Sequence, residues 1–93
     1  MYDAKRWLPS TIQKVWEMAR IVTGHDSSIF RVDACGTWIQ FSKHGDRDSE
    51  YGWEVDHKKP VALNGSDELY NLQPLHWKNN VAKGDSATLR CAS

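Results

Sequence analysis

The chain has 93 residues, 40% hydrophobic and 26% charged, which is the composition of one ordinary globular domain over residues 1–93. Twelve Lys and Arg residues balance twelve Asp and Glu residues, which excludes a strongly basic surface over the whole molecule but not a local basic patch. No apolar run is long enough for a membrane helix, so we expect no membrane partner. Charged residues also stand near the N-terminus, where a secretion signal needs an apolar segment, and we therefore expect a cytoplasmic location.

Aromatic residues are abundant, whereas cysteines are few. Five tryptophans, three tyrosines and two phenylalanines predict a core filled by bulky side chains. The two cysteines, Cys35 and Cys91, form no Cys-x-x-Cys pair, which excludes a four-cysteine zinc ribbon and a dithiol redox motif. The two could form a disulfide, but we expect reduced thiols in a chain without a secretion signal.

The N-terminal part of the chain predicts a helix over residues 10–22. Ser10 and Gln13 form a capping-box pattern at its start, and Gly24 is a stop signal. The apolar positions repeat at helical spacing and therefore share one face. They are Ile12, Val15, Trp16, Ala19 and Val22.

The rest of the chain predicts short strands and one more helix. Apolar and β-branched residues favour strands over 29–32 and 37–42. Apolar and polar residues alternate over 53–57, and a return strand over 72–75 follows a turn. A helix is predicted over 76–83 and closes at the glycine that follows it. The order of elements predicts an α+β fold.

A carboxylate, an imidazole and an amide mark the region after the third strand as the place to seek function. Asp56 and His57 are adjacent at the end of that strand, where a turn lets both side chains reach one site. The carboxylate of Asp56 and the amide oxygen of Asn80 would make an incomplete oxygen shell. Such a shell suits Mg²⁺ or Mn²⁺, which keep bound waters and take further ligands from a phosphate.

The last predicted helix divides into two faces. His76, Asn80 and Lys83 share one face at helical spacing, whereas Trp77 and Val81 are expected to point to the core.

Three stretches taken together resemble the HNH endonuclease family, whose fold is the ββα-metal (His-Me finger) nuclease fold. The three stretches are 51–60 (YGWEVDHKKP), 65–75 (GSDELYNLQPL) and 76–85 (HWKNNVAKGD). Residues 33–39 (DACGTWI), which precede them, are similar to the N-terminal part of small bacterial members.

The resemblance implies a role for each matching residue. His57 matches the general base that activates water, and Asp56 matches the acidic metal ligand beside it. Asn71 matches the asparagine that pins the intervening loop and so orients the base. Asn80 matches the second metal ligand, where many members have histidine; its neighbour Asn79 is expected on the helix surface. An amide oxygen favours Mg²⁺ or Mn²⁺, although Ni²⁺ and Zn²⁺ stay open.

Three further residues are candidates for contacts to the substrate. Lys83 and Arg31 could contact phosphates, or they could be solvated surface cations. His76 could contact a phosphate or the leaving group, but a structural hydrogen bond is the stronger alternative.

Many members of the family also hold a structural zinc ion with two Cys-x-x-Cys pairs. The matching positions here are Val32, Cys35, His76 and Asn79, so three of the four thiolates are missing. We therefore expect no structural zinc.

The resemblance implies a ββα-metal core over residues 51–85, preceded by an N-terminal helix and lacking a zinc ribbon. It implies an endonuclease that uses one divalent cation to hydrolyse phosphodiester bonds, with double-stranded DNA as the expected partner. The alternative is a non-catalytic nucleic-acid-binding module, against which the presence of Asp56 and His57 counts. A metal-free ribonuclease would need a second catalytic histidine. DNA or RNA preference, sequence specificity, nicking or double-strand cutting, and a homodimer all stay open.

Overall fold

The computed structural model describes residues 7–92, and over this range the chain has an α+β fold with two α-helices and two small antiparallel sheets. Residues 1–6 and 93, which belong to the single domain predicted over 1–93, lie outside the described range. Over residues 7–92, neither helix has the length and apolar character needed to cross a membrane. The elements are α1 (Pro9–Trp16), β1 (Phe30–Val32), β2 (Trp38–Gln40), β3 (Trp53–His57), β4 (Leu72–His76) and α2 (Trp77–Lys83).

Helix α1 is shorter than the predicted helix, and the predicted capping box is wrong. The helix begins at Pro9, whose fixed φ suits the first turn, so Ser10 already lies inside it. It ends at Trp16 because the chain then turns to pair with β1. The backbone N–H and C=O of Arg20 both bond to Val32, at 2.9 and 3.0 Å. Tertiary pairing therefore overrides the helical periodicity of residues 17–22.

Strands β3 and β4 form an antiparallel hairpin, and β3 has the predicted bounds. The register pairs Trp53 with His76 at one end and His57 with Leu72 at the other. Because side chains alternate between the faces, the acidic residues of β3 share the face that α2 covers, whereas Trp53 faces the core.

The apolar core lies between α1 and the strands. The indole rings of Trp16 and Trp53 are 5.4 Å apart and are almost fully buried, as expected for a core built on bulky aromatic side chains. The buried members of the core cluster are Val15, Trp16, Ala19, Ile39, Trp53, Val55 and Leu72.

Helix α2 follows β4 without a loop. His76 caps its N-terminus by accepting a hydrogen bond from the backbone of Lys78, and Gly84 ends the helix at φ 54°. The two residues of this helix that were expected to point to the core do not: Val81 is 55% exposed, and Trp77 is half-buried and outside the core cluster. Lys83 shares with Asn80 the face toward β3, as predicted, but Lys83 is buried there. The reason is that the face of β3 beneath α2 is acidic, so the helix buries polar side chains against it.

Cys35 and Cys91 form a disulfide, which contradicts the expectation of reduced thiols. The turn that carries Cys35 lies beside the start of α2, and the C-terminal segment returns to the same place. There, the backbone N–H of Ala92 donates to Asn79 Oδ1 at 2.8 Å. This proximity arises only in the folded chain, so the spacing of the two cysteines could not reveal it.

Candidate active site

A cleft of about 570 Å³ opens beside the end of β3. Its lining includes Asp56 and His57 from β3 and Asn80 from α2. The strand end and the helix thus bring together three residues that the sequence predicts for one site. Arg47, to which the sequence motifs give no role, lines the same cleft.

Asp56 is a buried carboxylate with two hydrogen-bond donors. Its side chain is 6% exposed; Gln73 Nε2 donates to Oδ2 at 2.9 Å, and Lys83 Nζ lies 3.3 Å from Oδ1. Burial raises the pKa of Asp56, and the contacts with Gln73 and Lys83 oppose that rise only in part. A cation entering the cleft would therefore stabilise the ionised form of this group.

Lys83 lies beneath this carboxylate and not in the cleft. Its side chain is 1% exposed, and Nζ donates to the backbone carbonyl of His57 at 2.8 Å as well as to Asp56. Lys83, a candidate for a phosphate contact, thus makes its contacts inside the protein. The lysine ties α2 to the end of β3 and holds Asp56 and His57 in place.

The imidazole of His57 is held by the carboxylate of Asp67, to which the sequence motifs give no role. His57 Nε2 donates to Asp67 Oδ1 at 2.7 Å, and the His57 ring lies 5.5 Å from the ring of Trp7. A hydrogen bond from Nε2 leaves the lone pair of the neutral ring on Nδ1. The arrangement is therefore suited to a general base that acts through Nδ1.

Asn71 holds the loop between β3 and β4. Its Oδ1 accepts from the backbone N–H of Lys59 at 2.8 Å, and its Nδ2 donates to the carbonyls of Lys59 and Ser66 at 3.0 and 2.7 Å. At Gly65 the chain passes so close to Lys59 that a Cβ atom would overlap its carbonyl oxygen. These contacts fit the role predicted for Asn71, which is to hold in place the loop that follows His57.

Glu54 and Arg47 form an ion pair next to Asn80. Arg47 donates from Nε to Glu54 Oε2 at 2.7 Å and from Nη2 to Oε1 at 2.9 Å, and Glu54 is 2% exposed. Asn80 Nδ2 donates to the same Oε1 at 2.8 Å. The alternation over residues 53–57 is a signal that puts Glu54 on the face of Asp56, whereas no sequence signal points to Arg47, which comes from a loop.

His76 and Arg31 do not line the cleft. His76 is 3% exposed; its Nε2 donates to the carbonyl of Glu50 at 2.7 Å, and its Nδ1 accepts from Lys78. Arg31 donates to three backbone carbonyls near the end of α1 and lies over the ring of Trp16. Both side chains are occupied by contacts that stabilise the fold.

The two segments that match the zinc-binding pairs of the family lie side by side. Asp33 Oδ2 accepts from the backbone N–H of His76 and from Asn79 Nδ2, both at 2.9 Å. Asn79 Nδ2 also donates to Thr37 Oγ1 at 2.9 Å. Asn79 is 2% exposed, so the expectation that it lies on the helix surface is wrong. Hydrogen bonds join these two segments, and the Cys35–Cys91 disulfide ties the first of them to the C-terminal segment.

The donor set at the cleft suits a divalent cation that keeps several of its waters. Among residues 7–92, no group of three or more His, Cys, Asp and Glu side chains is placed to hold a metal ion. The cleft instead offers the carboxylate of Asp56 and the amide of Asn80, which are hard oxygen donors. Two protein ligands are the number that Mg²⁺ commonly takes when a phosphate completes its shell.

A family model described as HNH endonuclease matches residues 38–86 of the chain. The matched range covers more than half of the chain and runs from β2 through α2, so it includes every residue that lines the cleft. No curated protein and no solved structure matches the chain significantly.

Proposed function

We propose that this chain, which belongs to the HNH endonuclease family, is a metal-dependent endonuclease that hydrolyses phosphodiester bonds in double-stranded DNA. The match confirms the resemblance predicted from the motifs, and membership of the family suggests nuclease activity in general. The finer proposal is supported above all by one observation: Asp56, His57 and Asn80 line the same cleft.

The ββα-metal core of this proposal spans residues 51–85 within a single domain. Its support is the direct succession of β3, β4 and α2, in which two antiparallel strands lead into a helix that packs on them. The strand ends with Asp56 and His57, and the helix supplies Asn80 from the facing element.

Asp56 and Asn80 are the residues that would hold one Mg²⁺ or Mn²⁺ ion. When bound, such an ion stabilises the negative charge that develops on the phosphate and on the leaving oxygen. The amide oxygen of Asn80 is a harder donor than imidazole, which favours these ions over Zn²⁺ or Ni²⁺.

His57 takes the proton from the attacking water in this proposal. Nδ1 is the accepting atom, because Nε2 is engaged by Asp67. Imidazole is the side chain that most often serves as a general base near neutral pH. Lys83 holds the backbone carbonyl of His57, and Asn71 fixes the loop that follows, so the base is fixed on both sides.

Arg47 replaces Lys83, Arg31 and His76 as the proposed contact to substrate phosphate. Its side chain is 31% exposed and lines the cleft, and the ion pair with Glu54 fixes its position. A guanidinium held in this way can offer directed hydrogen bonds to a phosphodiester.

A nicking assay on supercoiled plasmid tests the proposal, with Mg²⁺, Mn²⁺, Zn²⁺ and EDTA in parallel. We expect nicking with Mg²⁺ or Mn²⁺ and none with EDTA. His57→Ala should lower turnover by roughly 10²–10⁴-fold, because the general base is lost. His25→Ala, which removes an exposed histidine outside the cleft, is the matched control and should be as active as the wild type.

Two results would contradict the proposal. Plasmid binding without cleavage under every metal condition would favour the non-catalytic nucleic-acid-binding module. Cleavage of RNA that persists in EDTA would favour the metal-free ribonuclease.

A further inference from the structure

We propose that Glu54 is a positioning residue for Asn80: it binds the amide nitrogen and thereby turns the amide oxygen toward the cation site. This inference rests on the proposed function, because it takes Asn80 to be a metal ligand. It assigns a task to a buried carboxylate that neither holds the metal nor contacts the substrate in that function.

The amide of Asn80 can take two orientations, and only one of them presents its oxygen to a cation. The side chain of Asn80 ends in an oxygen and a nitrogen of nearly equal size, and only the oxygen has lone pairs for a hard cation. Packing cannot distinguish the two ends, since both occupy nearly the same volume. A neighbouring group of known polarity must therefore select the orientation.

Glu54 has the required polarity and is held firmly. A carboxylate paired with a guanidinium only accepts hydrogen bonds, so the end of Asn80 that lies 2.8 Å from Oε1 must be the nitrogen. Arg47 binds both carboxylate oxygens, and Glu54 is 2% exposed, so the acceptor has little freedom to move. The oxygen of Asn80 is consequently directed away from Glu54.

The strand places this acceptor next to the metal ligand. Glu54 and Asp56 are two residues apart on β3 and therefore share a face. Asn80 bonds to Glu54 and lines the cleft together with Asp56. Outer contacts of this kind orient metal ligands in proteins, and their loss commonly costs roughly 10- to 100-fold in metal affinity or activity.

The neighbouring Asn79 shows the contrasting case. Its Nδ2 donates to Asp33 and Thr37, and its Oδ1 accepts from the backbone of Ala92. Both ends of that amide are satisfied inside the protein, which fixes its orientation without exposing a ligand atom.

The first test measures the affinity for Mn²⁺ alone by isothermal titration calorimetry, without nucleic acid. Glu54→Gln should weaken binding by roughly 10- to 100-fold, because the introduced amide keeps one acceptor oxygen and its nitrogen must face Arg47 or Asn80, both of which donate to Glu54. Asp85→Asn removes the same charge from the lining of the same cleft and is the matched control. It should change the affinity less than about threefold, since no reoriented ligand is involved.

A charge-conserving exchange sharpens this test. In the double variant Glu54→Gln/Asn80→Asp, the amide introduced on β3 donates to a carboxylate whose two oxygens are equivalent, so no wrong orientation exists. We expect the double variant to recover most of the Mn²⁺ affinity. A Glu54→Gln protein that binds Mn²⁺ as the wild type does, an equal loss in Asp85→Asn, or a double variant that recovers nothing would each overturn the inference.

An NMR titration of the wild type and the Asn80→Ala variant give two further tests. If Glu54→Gln does not fold, the wild type decides by NMR: on adding Mg²⁺ the Asn80 Cγ signal should shift while the Nδ2 protons stay protected from exchange. Loss of that protection would overturn the inference. Asn80→Ala separates it from the proposed function. If Asn80→Ala loses Mn²⁺ and Glu54→Gln does not, only the inference fails; if Asn80→Ala binds Mn²⁺ normally, both fail.

Discussion

Two clusters of polar side chains contact α2, and they differ in whether their polar groups face a cleft where a ligand could bind. We name them the closed cluster and the open cluster. The closed cluster consists of Asp33, Thr37, His76 and Asn79 with the backbone of Ala92. The open cluster consists of Arg47, Glu54, Asp56, Asn80 and Lys83.

The closed cluster joins distant parts of the chain, and its charged and amide side chains are buried. Asp33 and Asn79 are 3% and 2% exposed, and their contacts connect the turn after β1 to the start of α2 and to the C-terminal segment. The open cluster is also buried in part, but Asp56 and Asn80 line a cleft. Burial of polar groups therefore does not by itself distinguish a candidate site from a structural cluster, whereas access from a cleft does.

The boundary between the clusters runs between two adjacent asparagines. Consecutive residues on a helix are about 100° apart around its axis, so Asn79 and Asn80 face different elements. Asn79 meets the turn after β1, whereas Asn80 meets β3. The same side chain thus contributes stability at one position and a candidate ligand at the next.

The largest loss of stability should come from removing the charge of Lys83, which is buried and binds Asp56 of the open cluster. Lys83→Met leaves the Asp56 carboxylate buried without its cation, which should lower the free energy of unfolding by about 3–5 kcal/mol. Denaturant unfolding measures it. Lys78→Met, at an exposed position of the same helix, should cost less than about 1 kcal/mol. A Lys83→Met protein that is as stable as the wild type but has a raised KM would restore Lys83 as a phosphate contact.

Reduction of the Cys35–Cys91 disulfide should weaken the closed cluster and leave the open cluster intact. The bond joins residues 56 positions apart, so its loss should cost about 2–4 kcal/mol, chiefly by releasing the unfolded chain from a constraint. The melting temperature with and without dithiothreitol measures this loss. Mn²⁺ affinity below the melting transition should not change. A melting temperature that is insensitive to the reductant would contradict the role assigned to this bond.

The paired variants Asn79→Ala and Asn80→Ala test the boundary itself. Asn79→Ala should lower the free energy of unfolding by about 1–3 kcal/mol, because it leaves buried polar groups without partners, and should keep the Mn²⁺ affinity of the folded protein. Asn80→Ala should show the reverse: Mn²⁺ binding and nicking are lost, whereas stability changes little. Calorimetric titration and denaturant unfolding on both proteins measure the two quantities. The opposite pattern would move the metal ligand to Asn79.

The segment from β3 to α2 could be predicted closely because its signals are local. The alternation at 53–57 matched the observed strand, and the helix after it began within one residue of its predicted start. The pairing of Asp56 with His57 before a turn sufficed to place both at one cleft. Other contacts depended on how the loops on either side of β3 fold back onto it, which no local pattern indicates: Asp67 beside His57 and Arg47 beside Glu54, ten and seven positions apart along the chain.

The amino-acid sequence by itself determined the family, the order of the elements around the cleft and the residue types that can bind a hard cation. These depend on residue identity and on short spacings along the chain, which backbone geometry converts directly into shared faces. Only the tertiary structure decided which polar groups can still bind a ligand. It buried Lys83, closed the Cys35–Cys91 disulfide and satisfied Asn79 while leaving Asn80 at the cleft. Whether a polar side chain can still bind a ligand depends on contacts between residues up to 46 positions apart, because a buried polar group bonds to whichever partner the fold brings within hydrogen-bond distance.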